Sequence, residues 1–206
     1  MPSATTATPK AKRAPAPRGE ARRAVITEAA LSVIARVGPD GLTHRLVAAE
    51  AGLPLAATTY WFASKEDMVR AALQHAADRD IEHVESLRAA SKQWTKKTLA
   101  THLADYVEDA CTNRRDHAVV DGALWLEALR RPDLRPIADH WVVAYADVLA
   151  EVLRNVGAPG TEDDAELLGA AIDGIVCHQL VAPGPFDRVS VTKQLERLTA
   201  ALVRPG

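Results

Sequence analysis

A chain of 206 residues, 48% hydrophobic and 25% charged, has the balance of an ordinary soluble globular protein and can bury one sizeable core or two small ones. The net charge of −2 excludes attraction of nucleic acid by overall field, yet residues 1–70 carry ten Lys/Arg against six Asp/Glu, and residues 71–206 fifteen against twenty-one. The two cysteines, Cys111 and Cys177, lack the spacing of a zinc site or a disulfide framework, so neither a metal nor another cofactor is expected.

Residues 1–18 contain four prolines, four basic side chains and no acid, a composition that cannot bury enough apolar surface to fold. They read as a disordered basic arm, either a solubilising tail or a flexible arm that strengthens DNA binding by counterion release. No apolar segment ahead of a small-residue cleavage site follows, so a cytoplasmic location is expected. From Arg22 onward the apolar period is helical and no strand-like alternation appears, which predicts an all-α fold of about nine helices. Ile26, Ala30, Val33, Ile34 and Val37 stripe a first helix that Gly38-Pro39 stops. Thr43 is the expected N-cap of a short second helix ending at Gly52, and Pro54 suits the opening of an equally short third that finishes near Phe62. Ser64 and Asp67 have capping-box spacing for a long fourth helix reaching about Ala90.

Leu99 to Ala110 give a fifth helix and Val119 to Leu129 a sixth, apolar nearly all round and therefore expected in the middle of the domain. Ile137 to Val156 give a seventh, Asp163 to Val181 an eighth and Val191 to Leu202 a ninth. The most apolar stretch, Leu167 to Val181, is interrupted by Asp173 and His178, so no membrane span is expected. Two very short helices joined by a Gly-containing turn make a helix-turn-helix over residues 19–66, leaving 67–206 as a helical regulatory and dimerisation domain.

Leu42 to Met68 resembles the DNA-binding signature of the TetR family of transcriptional regulators. Thr43, Arg45, Val47, Ala48, Ala51, Gly52, Phe62, Ser64, Lys65 and Glu66 fall in register with that family's pattern without a gap. Three positions depart from it: Pro54 replaces the usual capping Ser, Ala56 the usual Gly, and Thr59 the usual Tyr, the aromatics moving on to Tyr60 and Trp61. The resemblance implies a ligand-responsive regulator, most simply a repressor, that grips a palindromic double-stranded operator as a homodimer and is released by a small-molecule effector.

In such a motif the second short helix enters the major groove, which sets Leu55, Ala57, Thr58, Thr59, Tyr60 and Trp61 against the bases. With so few polar groups, this helix would read its operator largely through thymine methyls. Arg45 is the candidate for a bidentate guanine contact, its alternative being a phosphate or surface role. The resemblance makes Thr43 and Lys65 phosphate clamps, the alternative being capping and a solvated face. One unit makes few contacts, so a symmetric dimer is expected, paired through Leu168, Ala171, Ile172, Ile175 and Gln179 with Leu195, Leu198 and Leu202. Tyr106, Trp125, Glu127, Trp141, Tyr145 and His178 place aromatic or polar groups on otherwise apolar helices, as an effector cavity requires. Motifs of hydrolases, nucleotide-binding proteins and metalloproteases are absent from the sequence, so no catalytic residue is assigned. The competing reading is a helical scaffold that does not bind DNA.

Overall fold

The computed structural model describes residues 17–203, and the described residues are helices and their connections, without a strand. Residues 1–16, most of the expected arm, lie outside the described residues; the first helix already begins at Pro17, where a fixed φ suits an opening turn. This helix, α1, spans Pro17–Gly41 but breaks at Gly38, whose φ of 73° and ψ of 169° only glycine adopts without strain. α2 (His44–Glu50) starts at Thr43, whose hydroxyl accepts the Leu46 amide at 3.2 Å. α3 (Leu55–Trp61) follows Pro54, which provides no side-chain cap.

α4 (Lys65–Ala90) opens with the complete capping box: the Asp67 amide donates to Ser64 Oγ and the Ser64 amide to the Asp67 carboxylate, each at 3.1 Å. Its 26 residues make a rod about 39 Å long. α5 (Leu99–Cys111), α6 (Arg115–Arg130), α7 (Arg135–Asn155), α8 (Glu162–Val181) and α9 (Arg188–Leu202) bring the described residues to nine helices, the number expected, with short 3-10 turns at Ser91–Gln93 and Pro132–Leu134. None of the described helices is long and apolar enough to cross a membrane.

Two apolar cores form, and they do not divide at residue 66. The first joins Ile26, Ile34, Leu42, Val47 and Phe62 to Met68 and Leu73 of α4, then continues into Val120 and Leu124 of α6 and Ile137 and Trp141 of α7. The second gathers Val84 and Leu87 of α4 with buried faces of α5, α7, α8 and α9. α4 and α7 thus run through both cores. Arg88 of α4 ties them by ion pairs to Asp147, at 2.9 Å, and to Glu151 of α7.

The structure corrects two expectations from the sequence. α6 is not central: it buries Val120, Asp121, Leu124 and Ala128 against its neighbours, while Leu126 and Leu129 on the far side stay 61% and 75% exposed. Its uniform apolarity therefore gives the wrong picture of its surroundings. Of the expected dimer contacts, Leu168, Ile172, Leu195 and Leu202 are buried inside the second core, with Ile175 and Leu198 packed against it. They face inward because α8 and α9 close a bundle with α5 and α7 within one chain. Ala171 is half-buried, and the Gln179 side-chain oxygen accepts the Asp187 amide at 3.1 Å.

Candidate DNA-contacting surface and effector cavity

The seat of α3 is set by Thr58. This residue is fully buried, its hydroxyl donating to the Leu55 carbonyl at 2.9 Å and lying 3.3 Å from His44 Nδ1 on α2. It cannot reach a base, contrary to expectation, because the short α3 must turn one polar position inward to lock onto α2. Ala57 and Trp61 are half-buried and pack on the first core. The outward face consists of Leu55, Ala56, Thr59 and Tyr60. Tyr60 stands out from the surface, its ring meeting Trp61 edge-on at 5.1 Å, so the two aromatics divide into one outward and one supporting side chain.

Arg45 is exposed on α2 beside this face, and so is Thr43. Lys65 is half-buried, and its ammonium donates to the Asp40 carbonyl at 2.6 Å, tying the start of α4 to the turn after α1. Glu66 and Asp67 are exposed in the same first turn, where they complement the positive end of the α4 dipole. Arg36 and Glu50 pair at 2.7 Å and hold α2 against α1. Arg23 lies 5.7 Å above the Phe62 ring. The helix-turn-helix is thus tied to α1 and α4 behind an outward face of α3 that carries no charge.

In the second half of the molecule α6, α7 and α8 line a half-open cavity of about 320 Å³. Of the six residues expected there, the structure brings Trp125, Trp141 and Tyr145 together around it. The Trp125 and Trp141 rings meet at 5.0 Å and 61°, and Trp141 lies 5.8 Å from Tyr145. Val142, Ala146, Ala165, Gly169 and Ala170 fill in the wall with small side chains, and Glu166 and Asp173 are its carboxylates. Tyr106 lies one layer behind, 6.4 Å from the Tyr145 ring. Glu127 does not line the cavity and instead lies 3.9 Å from Arg131, one turn along its own helix. His178 is exposed and outside the lining.

Behind the aromatic wall is a polar cluster that sequence reasoning missed. Asp80 of α4, almost fully buried, accepts from Tyr106 Oη at 3.2 Å, Trp141 Nε1 at 2.9 Å and Arg114 at 2.6 Å. Asp121 of α6 is also buried, and one of its carboxylate oxygens has no hydrogen-bond partner. Burial, helped by Asp80 and Asp173, pushes its carboxyl well above the usual range. Burial and the nearby Asp80 raise the Asp173 carboxyl to about 7. Burial lifts Tyr106 and Tyr145 too, while it lowers His83, which stacks on Tyr106 at 5.0 Å. A signal for the cluster does exist in the sequence: Asp80 occupies a stripe position of α4 between Leu73 and Leu87, where an apolar residue belongs.

The chain matches the family model for bacterial regulatory proteins of the tetR family over residues 26–72, and the model for the tetracyclin repressor-like C-terminal domain over residues 94–204. It is similar to the HTH-type transcriptional regulator BetI of Burkholderia thailandensis, 25% identical over 190 residues that cover 90% of this chain and 95% of that one. It is also similar to the multidrug binding protein EbrR, solved in complex with ethidium. There the identity is 34% and the TM-score 0.64, over 86% of this chain and 98% of the other. A TetR-family structure from Streptomyces coelicolor A3 is likewise 34% identical, with a TM-score of 0.67 over 86% and 97% of the two chains.

Proposed function

We propose, because this chain belongs to the TetR family of bacterial regulatory proteins, that it is a dimeric, ligand-responsive transcriptional repressor acting on DNA in the cytoplasm. Operator contact is assigned to the outward face of α3, with Leu55, Ala56 and Thr59 reading thymine methyls and Tyr60 reaching furthest. Arg45 is the guanine-reading or phosphate-holding side chain beside it, Thr43 a second phosphate contact, and Lys65 supports the turn between helices as well as any phosphate it meets. The two-fold related partner docks through the exposed side of α8, which presents Leu167, Ala170, Gly174, Cys177 and Val181, so that two α3 helices address two halves of a palindrome.

The observation that carries this reading is the shared use of α4. The helix begins at Lys65 beside the DNA-facing motif and ends in the core that surrounds the cavity, with Asp80 at mid-length bonded to the cavity wall residue Trp141. A ligand against Trp141 therefore acts on the rod that carries the helix-turn-helix. EbrR, a relative at 34% identity, is a multidrug binding protein that holds ethidium, which supports an aromatic-walled cavity as the effector site.

Fluorescence anisotropy of the purified protein with duplex from upstream of its own gene, against a scrambled duplex and across a salt series, tests the proposal. Specific binding that weakens steeply with salt is the expected result. Equal affinity for both duplexes, or binding to neither at low salt, overturns it in favour of a helical scaffold.

A further inference from the structure

We propose that the cavity between α6, α7 and α8 selects an organic cation with an apolar ring body, recognised by Asp173 and held against the aromatic wall of Trp125, Trp141 and Tyr145. This rests on the reading of that cavity as the effector site and adds the chemical class of the effector. The first ground is charge. Asp80 raises the carboxyls of both Asp121 and Asp173, and its own bonded cation is the Arg114 guanidinium. Among the described residues no cation pairs with Asp173 at the cavity wall, and the buried Asp121 behind it, near Arg114, retains an oxygen with no partner. An ionised carboxylate there is costly until a positive charge arrives.

The second ground is the wall. Aromatic faces attract cations through their negative quadrupole, most strongly for tryptophan, and both Trp125 and Trp141 edge the cavity together with Tyr145. Gly169 lets the Tyr145 ring pack closely against α8, and Ala146 and Ala170 leave the rest of the wall without bulky side chains. An anionic ligand would face Asp173 and Glu166, and a neutral one would gain no attraction from an ionised Asp173. The volume of about 320 Å³ is at the lower end of that for small-molecule sites, which fits a few fused rings.

Asp173 is faced by Asp80 from α4, Asp121 from α6 and Tyr145 from α7, with Glu166 beside it on its own helix in the cavity lining. Arg188, at the start of α9, is engaged by Asp105 and Glu108 of α5. Because the Asp173 carboxyl titrates near 7, a proton competes with the cation. Affinity for a ligand of fixed charge then falls about tenfold for each pH unit below 7 and levels off above it.

Calorimetry and tryptophan quenching with ethidium, a flat fixed-charge cation, and phenanthridine, its neutral parent ring, test this on the intact protein without DNA. Ethidium is expected to bind at least a hundredfold tighter than phenanthridine at pH 8, and to weaken about thirtyfold by pH 5.5. Asp173→Asn is expected to bind ethidium at least tenfold more weakly at pH 8 and to lose the pH dependence. Thermal melting shows whether that variant is folded, and the pH series on the unaltered protein stands without it. Comparable affinity for the two compounds, no binding of ethidium, or an ethidium affinity that ignores pH overturns the cation proposal. Operator binding is measured on the same preparation without ligand. Failure there removes the regulator reading, and failure of ethidium alone leaves it in place.

Discussion

Thr58 is fully buried and Tyr60, two positions along the same seven-residue helix, is 79% exposed. On α3 a hydroxyl that could read a base is committed to the protein, and a side chain from the following turn takes the outer position. Which of Thr58, Thr59, Tyr60 and Trp61 faces outward was not legible in the sequence, because seven residues make too few turns for a periodic pattern to fix the phase. Thr58→Val, which keeps the shape but loses the hydroxyl bonded to Leu55, is expected to cost about 1 kcal/mol in denaturant unfolding. Tyr60→Ala is expected to shift stability by less than about 0.5 kcal/mol while weakening specific operator binding more than tenfold; equal losses on scrambled duplex would take base contact away from Tyr60. Asp173 has the opposite character, a residue whose fold pays for its position. Its carboxyl, raised to about 7, keeps a proton that the unfolded chain releases near 3.8, so stability falls as pH climbs through that window and the full cost is present above 7. Asp173→Asn is therefore expected to melt higher than the unaltered protein at pH 8, the difference shrinking to nothing by pH 4. A constant difference across that range would mean that Asp173 is not desolvated.

At the scale of elements, legibility followed chemistry that acts over one turn. Thr43, Ser64 with Asp67, and Gly52 marked helix ends that the structure places where those residues predict. What could not be read locally was how an element sits against others: α6 has an apolar side that none of the described residues covers, and its first turns complete a core begun by α1. The turn from α7 to α8 shows how tightly one connection can be specified. Gly160 has a φ of 58°, and a Cβ there would sit 2.5 Å from the Ala150 carbonyl oxygen and 2.6 Å from Arg154 Cγ, while Arg154 donates to the Gly160 carbonyl at 3.0 Å. Gly160→Ala is expected to cost about 3 kcal/mol, lowering the melting temperature by roughly 10 °C. Gly122, exposed in the middle of α6, gives the contrast, since an added methyl group would meet nothing within 4 Å. Gly122→Ala is expected to raise stability by about 0.5–1 kcal/mol. Equal effects from the two substitutions would show that backbone conformation and close approach at Gly160 do not matter.

For the whole molecule, the decisive ambiguity lay in α8, which carries apolar residues on two sides. Leu168, Ile172 and Ile175 form one stripe and go into the core of their own chain; Leu167, Ala170, Gly174, Cys177 and Val181 form another and stay at or near the surface. Periodicity reports both stripes equally, so the sequence could announce an interface helix without saying which face was free. The outer stripe repeats at intervals of three and four residues, the seam spacing of paired helices, and its middle is built of small side chains that let two backbones approach closely. If this face joins two copies, an arginine at its centre should separate them without disturbing either, since a side chain at Gly174 meets nothing within 4 Å inside the chain. Gly174→Arg is expected to sediment as a 22.1 kDa monomer where the unaltered protein sediments at twice that mass. It should also lose operator affinity by about a hundredfold or more, because two half-sites are no longer held together. A variant that remained a dimer would move the interface elsewhere on the molecule. A monomer that kept full operator affinity would remove the palindrome, and with it the reason for two-fold symmetry, from the account of how this protein recognises DNA.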